Sequence, residues 1–538
     1  MDRIWINGHF YTEDKAYPAC SALYARNGVI MAMGTDEEVL SYDKEGKAQI
    51  CDLKGAYVLP AFRESHMHLL EYAQQDTMVH LEDAKSFRDV MDLCSARLDW
   101  AKENGKWIAA VGFNQDDWDE AILPTGEDLD RISTEVPITI RRSCLHISVC
   151  NSKAMKVMGL NENTITAAPE NYDRRPDGSL NGVIREMAQF EIFSSFPKLS
   201  KDEIKAQILH GCKKLAEYGI TEVQTDDFHS VPGVDAETII DAYRELGEAG
   251  ALPIRVYEQC YLHDEKGLQQ FLDAGHYTGQ TFGNFMIGPL KVVMDGSLGS
   301  HSAFMRSDYR NDPGQRGIAY YTEEEVYRYM KLAHDNGMQI AIHCIGDAAL
   351  DRILKALKRI QWENPRVDCR HGIVHCQIMD DEQLEVFRKQ GLIGYVQPIF
   401  LRCDMYVVNE CVGDSLASTS YNWRKFLDKG VHLSGGSDCP VEFFDIMKNL
   451  QYAVTRTDFK TGKAWYPENA VTREEAVSMF TYEGAYASFG ERERGTLSIG
   501  KEADLVVLDR DFFSVPAEQI DKIRVLQTVC KGKVLYQK

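Results

Sequence analysis

Short apolar runs separated by turn dipeptides open and close this chain. Ile4–Ile6 run into Asn7-Gly8, Ala22–Ala25 and Val29–Met33 flank Asn27-Gly28, and Gln49–Leu53 and Tyr57–Leu59 flank Lys54-Gly55. Asn-Gly between apolar runs predicts a hairpin, because both turn positions need positive φ. At the other end Asp504–Leu508 is apolar, and Arg524–Cys530 and Lys533–Tyr536 flank Lys531-Gly532. Strand-rich ends around a differently patterned middle predict one small β-domain assembled from both termini.

The middle alternates helical periodicity with short apolar runs. Ser200-x-x-Glu203, Thr322-x-x-Glu325 and Thr472-x-x-Glu475 are capping boxes, each opening a helix. After the first, Ile204, Ile208, Cys212, Leu215 and Ala216 mark one face, and Gly219 ends it. Eight strands are expected between the helices: Tyr57–Phe62 running on to His68, Thr221–Thr225, Ile254–Tyr261, Leu290–Met294, Gln339–His343, Gly372–His375, Leu392–Gln397 and Val431–Ser434. Eight strands alternating with helices is the count of an α/β (β/α)8 barrel. Long insertions follow the first strand, with Trp107–Phe113 and Pro137–Val149 expected as extra strands covering the mouth. The expected organisation is residues 1–59 and 490–538 as the β-domain, with 60–489 as the barrel and an insertion around 70–200.

Composition narrows the field. The 538 residues carry 60 basic and 82 acidic side chains, a net charge of −22. Such a balance argues against nucleic acid or an anionic membrane as partner. No run of about 18 apolar residues suggests a membrane span, and the N-terminus lacks the pattern of a secretory signal. The 14 cysteines are dispersed without a C-x-x-C pair, so they read as buried small hydrophobes in a reduced, cytoplasmic protein. A small-molecule substrate and a homodimer are the expected partners.

Polar residues gather at the ends of the predicted strands. His66 and His68 are at i and i+2, so an extended backbone points both to one side. His343 ends the fifth strand, His375 ends the sixth, Asp438 follows the eighth, and Lys291 lies within the apolar fourth. One histidine at a strand end is ordinarily a satisfied polar residue, and H-x-H alone identifies nothing. Five candidate ligands on four strands, all at the C-terminal end where a barrel gathers its site, point to a divalent metal. A buried Lys291 needs either an acidic partner such as Asp295 or carbamylation, which makes it an anionic bridge.

The ordered set VLPAFRESHMHLL, PTGEDLDRIS, RRSCLHISVCNSKAM, PDGSLNGVIRE, LKVVMDGSLGSHSA, AIHCIGDAALDRIL, RHGIVHCQ, GGSDCPV and GTLSIGKEADLVVLD resembles the amidohydrolase superfamily, in its family 3 branch of YtcJ-like and N-substituted formamide deformylase-like proteins. The resemblance runs nearly end to end. It implies a metal-dependent (β/α)8 TIM barrel with a composite β-sandwich. It further implies one or two divalent ions, Zn2+ being expected, with His66 and His68 on the more buried and His343 and His375 on the more exposed. Lys291, in a K-x-x-x-D-G motif, would bridge them if carbamylated. Asp438 would ligate and shuttle a proton while water attacks the C–N bond of an N-acyl or N-formyl compound. His146, Ser297, His301 and Trp118 are the expected substrate contacts. His146 has a buried structural role as its alternative, and Trp118 a packed one.

The chain also departs from the family pattern. Ala61 and Glu64 stand where relatives have glycine and aspartate, and Val374 precedes His375 where relatives often carry glutamate, so a contact supporting that histidine is expected to be lost. Arg185 and Glu186 read as an ion pair, His371 as locally hydrogen-bonded, and Asp226 and Asp227 as mouth residues or helix caps. Other readings are a deaminase or cyclic-amidine hydrolase, against which Lys291 counts, a non-catalytic metal- or ligand-binding protein, and a cysteine-based redox protein.

Overall fold

Buried parallel strands read as near-continuous apolar runs because helices cover one face and the barrel core the other. The eight middle runs behave this way in the computed structural model, which describes residues 2–144, 146–165 and 168–538, the side chains of Met187 and Phe190 excepted. They are β1 (Phe62–Met67), β2 (Ile220–Thr225), β3 (Arg255–Tyr261), β4 (Phe285–Val293), β5 (Ile340–Cys344), β6 (Gly372–His375), β7 (Ile393–Val396) and β8 (Leu433–Gly435). Neighbours pair in chain order, all in parallel. Between β8 and β1 the closure is irregular: the Ser65 and Ser434 hydroxyls are hydrogen-bonded, and the Asp438 N–H donates to the His66 carbonyl at 2.8 Å. The fold is a nearly closed TIM barrel.

One expectation fails at Ala61. The run from Tyr57 to His68 is two strands in two sheets. Tyr57–Pro60 pairs antiparallel with Leu505–Leu508, whereas Phe62 starts the barrel beside β2. The Ala61 N–H turns to the Asp504 carbonyl at 3.0 Å, and the next N–H turns to Gly219 at 2.9 Å. An unbroken apolar run hides this bend because both sheets bury it.

Both termini share a six-stranded sheet ordered Lys533–Gln537, Val525–Cys530, Leu505–Leu508, Tyr57–Pro60, His9–Tyr11 and Ala19–Cys20. A four-stranded sheet orders Val29–Gly34, Ala22–Arg26, Asp2–Ile6 and Gln49–Asp52. Trp5, Leu23 and Ile30 from the second pack with Val58, Leu505 and Val507 from the first, so the apolar faces of the sheets make one core.

The chain divides into two compact units, Leu70–Gln207 with His229–Thr238 forming the second. That unit has its own mixed sheet, ordered Tyr172–Arg174, Leu180–Arg185, Ile147–Cys150, Ile138–Arg142, Ile108–Phe113 and Val79–His80. Phe113, Trp118, Leu129, Ile138 and Val149 are among its core residues. Among the described residues no helix is long and apolar enough to cross a membrane.

Candidate metal centre

The register of the barrel brings the predicted ligands together. His343 lies across from Val293 on β4 and His375 across from Cys344 on β5, while Lys291 is two residues back along β4. At the seam, the His68 N–H donates to the Cys439 carbonyl at 2.7 Å, and the Asp438 N–H to that of His66. These two backbone bonds fix Asp438 against both histidines. Asp438 and His375 hold φ of 60° and 78°, a conformation that costs a non-glycine residue of order 1–3 kcal/mol and persists where surrounding structure imposes it.

Two clusters result. Asp438 Oδ1 is 3.2 Å from His66 Nε2 and 3.1 Å from His68 Nε2, and Lys291 Nζ is 3.0 Å from His66 Nε2. His66, His68 and Asp438 are grouped as a metal-type donor set. In the second cluster, His375 Nε2 is 2.9 Å from His343 Nδ1. The His66 and His375 rings are 6.0 Å apart, so the clusters adjoin. Burial does not rank them: each has one fully buried ring, His66 or His375, and one partly exposed.

Tautomers decide what these contacts mean. His66 Nδ1–H donates to Gln259 Oε1 at 2.8 Å, and the Gln259 amide is oriented by its own donation to the Ser65 carbonyl at 3.1 Å. His68 Nδ1–H donates to the Asp226 carbonyl at 3.0 Å. The remaining Nε2 lone pairs of both rings therefore face a carboxylate oxygen. Likewise His375 Nδ1–H donates to Gln397 Oε1 at 2.9 Å, with Gln397 oriented by the Tyr395 carbonyl, and His343 Nε2–H donates to the Gly296 carbonyl at 3.3 Å. His375 and His343 thus turn lone pair to lone pair. Each cluster needs a cation. Four-coordinate Zn2+ at about 2.0–2.1 Å sets its ligand atoms about 3.3 Å apart, close to the spacings here. The donor set fits the metal.

Electrostatics agree. Burial holds His343 at about 4 and His375 well below its usual range, with Lys291 and His343 respectively adding to the effect; both are neutral imidazoles, as ligation requires. Burial opposes charge on both Asp438 and His68, but their mutual contact outweighs it, holding the carboxyl well below the carboxylate range and raising His68 to about 10; a proton on His68 Nε2 takes the place that a metal cation would take. Burial lowers Lys291. Its nearest acid is Asp226, at 3.7 Å, and not Asp295. The Asp295 carboxylate instead accepts the N–H groups of Phe304, Ile345 and Gly346 at 2.9, 3.1 and 2.8 Å, joining the loops after β4 and β5.

Sequence reasoning missed Gln259, Gln397 and the Asp226 carbonyl. The glutamines carried a signal, an amide inside buried runs (YEQCY and YVQP) that must be satisfied. The contact expected to be lost beside Val374 is supplied by Gln397 from the next strand.

The remaining expected residues have partners of their own. Ser297 is exposed in the loop after β4, its hydroxyl 2.9 Å from that of Ser300. His301, in the same loop, is 3.2 Å from Asp312 and lies against Tyr309. In the second unit, Trp118 is buried against Phe113 and donates its indole N–H to the Ala84 carbonyl at 3.1 Å, the packed alternative. His146 is exposed and pairs with Glu186 at 2.9 Å, not buried. Arg185 pairs with Asp173 at 2.7 Å, so the expected Arg185–Glu186 pair does not form. Asp227 accepts the Tyr243 hydroxyl at 2.6 Å.

The amidohydrolase family model matches residues 49–536. This chain belongs to the amidohydrolase family. It is 26% identical to YtcJ of Bacillus subtilis over the whole of both chains. It is 24% identical to the N-substituted formamide deformylase of Arthrobacter pascens, covering all of this chain and 98% of that one. A crystal structure of an uncharacterized metal-dependent hydrolase from Pyrococcus horikoshii superposes with a TM-score of 0.79 at 26% identity, over 96% of this chain and 99% of that one. The amidohydrolase described here is a metal-dependent hydrolase of carbon–nitrogen bonds.

Proposed function

We propose that this amidohydrolase cleaves the C–N bond of a small N-acyl or N-formyl compound, with Zn2+ held by His66, His68, His343, His375 and Asp438. The observation that carries the reading is the pairing of fixed lone pairs in two adjoining clusters, with Lys291 beside them. When bound, a divalent ion supplies Lewis acidity, polarising a carbonyl and making water a nucleophile near neutral pH. Asp438 presents a carboxylate to the reacting centre, takes a proton from the attacking water and returns it to the departing nitrogen. Gln259, Gln397 and the Asp226 carbonyl hold the imidazoles in the tautomers that ligate. Lys291, lowered by burial, is suited to condense with carbon dioxide into a carbamate. Ser297 and His301, in the loop after β4, remain proposed substrate contacts. None of the 14 cysteines is in a disulfide, which supports a cytoplasmic setting.

The test is metal analysis of purified protein together with a screen of N-formyl and N-acyl amines, reading released amine and carboxylate. Stoichiometric metal with amine release is expected. Release of ammonia from aminopurines or cyclic amidines instead, with no acyl-amine turnover, would favour the deaminase class. Metal near zero in well-folded protein would overturn the reading.

A further inference from the structure

The loop after β7 carries a carboxylate that the reaction above does not use. Residues Pro398–Phe400 form a tight turn that runs on into one helical turn, Leu401–Asp404. Phe400 and Asp404 are therefore four residues apart with helical backbone between them, which puts both on one face. That face is located by Phe400, whose ring lies flat on the imidazole of His375, centroids 5.6 Å apart and 16° from parallel. Asp404 thus sits one turn further along the face that covers the metal centre.

Its carboxylate is held in place. Oδ2 accepts Gln377 Nε2–H at 2.9 Å and the Tyr421 hydroxyl at 2.7 Å. Gln377 is two residues beyond His375, and its carbonyl accepts the Tyr421 N–H at 3.0 Å, so the same strand end orients the ligand and the acid. Leu401 and Met405 are buried, and Arg402 and Cys403 are exposed. Both partners of Oδ2 are neutral, and Oδ1 has no hydrogen bond among the described residues. The nearby cation, Arg402, is turned to Glu442 at 3.4 Å, whose Oε1 also accepts from Cys403. Glu442 adds further negative potential at Asp404, and although burial pushes the Asp404 carboxyl up to about 6, it remains ionised at neutral pH. A half-buried carboxylate with two rigid neutral donors and no counter-ion among the described residues is costly for a fold and typical of a site that receives its cation from elsewhere.

We propose that Asp404 is a specificity residue of this hydrolase, receiving on Oδ1 the protonated primary amine of the substrate while the Phe400 ring lies against the intervening apolar chain. The substrate class is then an N-acylated or N-formylated alkyl diamine with one free ammonium. This rests on the acyl-amine reading above and narrows it. The ring face of Phe400 also favours a nearby cation.

The experiment uses the metal-loaded enzyme and two matched series, N-formyl and N-acetyl alkyl monoamines and the mono-acylated diamines of equal length. The expected result is a kcat/KM at least tenfold higher for the diamine series than for the monoamine series, a preference that Asp404→Asn abolishes through a raised KM for the diamines. Free alkyl diamine should inhibit wild-type monoamine turnover more strongly than free monoamine, a measurement that needs no variant. Turnover of both series with equal efficiency and equal inhibition would overturn the assignment of Asp404 and leave the acyl-amine reading standing. Turnover of neither would overturn that reading, and the assignment with it.

Discussion

Glu64 Oε1 accepts the backbone N–H of His66 at 3.0 Å and also that of Ser437 at 2.9 Å. One carboxylate oxygen therefore ties β1, with its histidines, to the loop that presents Asp438. The Glu64 side chain is accommodated by Gly436, at which an added Cβ would stand 2.6 Å from that oxygen. Glu64→Gln keeps the acceptor and should retain metal content and most activity. Glu64→Ala leaves two buried N–H groups unpaired, at about 1–3 kcal/mol each, and should lower both the unfolding temperature and the metal content. Thermal unfolding and metal analysis of the two variants check this; equal behaviour of Gln and Ala would refute the role.

The proton transfer proposed for Asp438 can be separated from its proposed ligation by one variant. Asp438→Asn should lower kcat by about 10²–10⁴, the usual contribution of general acid–base catalysis, while the four histidines retain most of the metal. Steady-state kinetics with metal analysis on the same preparation measure both. A near-normal rate would remove Asp438 from the mechanism.

Metal removal should divide the histidines. Chelation is expected to abolish turnover and Zn2+ to restore it. His375→Ala leaves the lone pair of His343 without its partner and should lose the metal of that cluster first, whereas His66→Ala should lose that of the other. If Lys291 is carbamylated in the loaded enzyme, reconstitution without carbon dioxide should be slow and bicarbonate should accelerate it. Lys291→Met should be insensitive to bicarbonate.

The convergence of the candidate ligands was legible because a parallel barrel converts strand-end positions into one place in space: His66, His343 and His375 needed only the strand pattern. What orients them was not legible, because Gln259 and Gln397 act across a register that no single run reveals. The bend at Ala61 was hidden by burial on both sides. Trp118 reads identically in sequence whether it walls a pocket or packs a core, and its bond to Ala84 decides for the core. Arg185 was matched to its chain neighbour, but the strand ends at Arg185 and Glu186, at φ 48°, turns to His146, while the partner of Arg185, Asp173, is on the adjoining strand.

Acid stability should depend on a buried ion network. Glu222 on β2 lies 3.5 Å from Arg63 and pairs with Arg494, while Asp504 accepts Arg255 at 2.7 Å and Arg63 at 3.4 Å. Burial opposes ionisation of Glu222, but Arg494 and Arg63 outweigh it and hold it at about 2, from an ordinary 4.5. A carboxyl lowered on folding stabilises the protein above its unfolded value. That contribution, on the order of 3 kcal/mol, is fully present above about pH 5 and drains away as pH falls from 4.5 toward 2. Glu222→Gln should therefore be destabilised at pH 7 and show a flatter loss of stability over that range. Denaturant unfolding at several pH values tests the slope; parallel curves for the two proteins would contradict it.

A second group of ligand-type side chains, His334, Cys369 and His371, should bind no metal. The Ile340 N–H donates to His371 Nδ1 at 3.1 Å, which makes that nitrogen an acceptor and puts the proton on Nε2. His371 Nε2–H then donates to His334 Nδ1 at 2.9 Å, and His334 Nε2–H donates to the Asn364 carbonyl at 2.8 Å. The chain is directed and complete, so neither imidazole has a lone pair to spare, in contrast to the facing lone pairs of His343 and His375. Burial holds His371 at about 3, so it stays neutral across the working range. Its role is to join the start of β5 to the segment leading into β6. His371→Ala should lower stability by about 2–4 kcal/mol, from the unpaired Ile340 N–H and His334 nitrogen together with the cavity, and leave the metal stoichiometry and kcat of the folded fraction unchanged. Loss of a metal equivalent in His371→Ala, with the His66 cluster still loaded, would show that the proton chain has been read in the wrong direction.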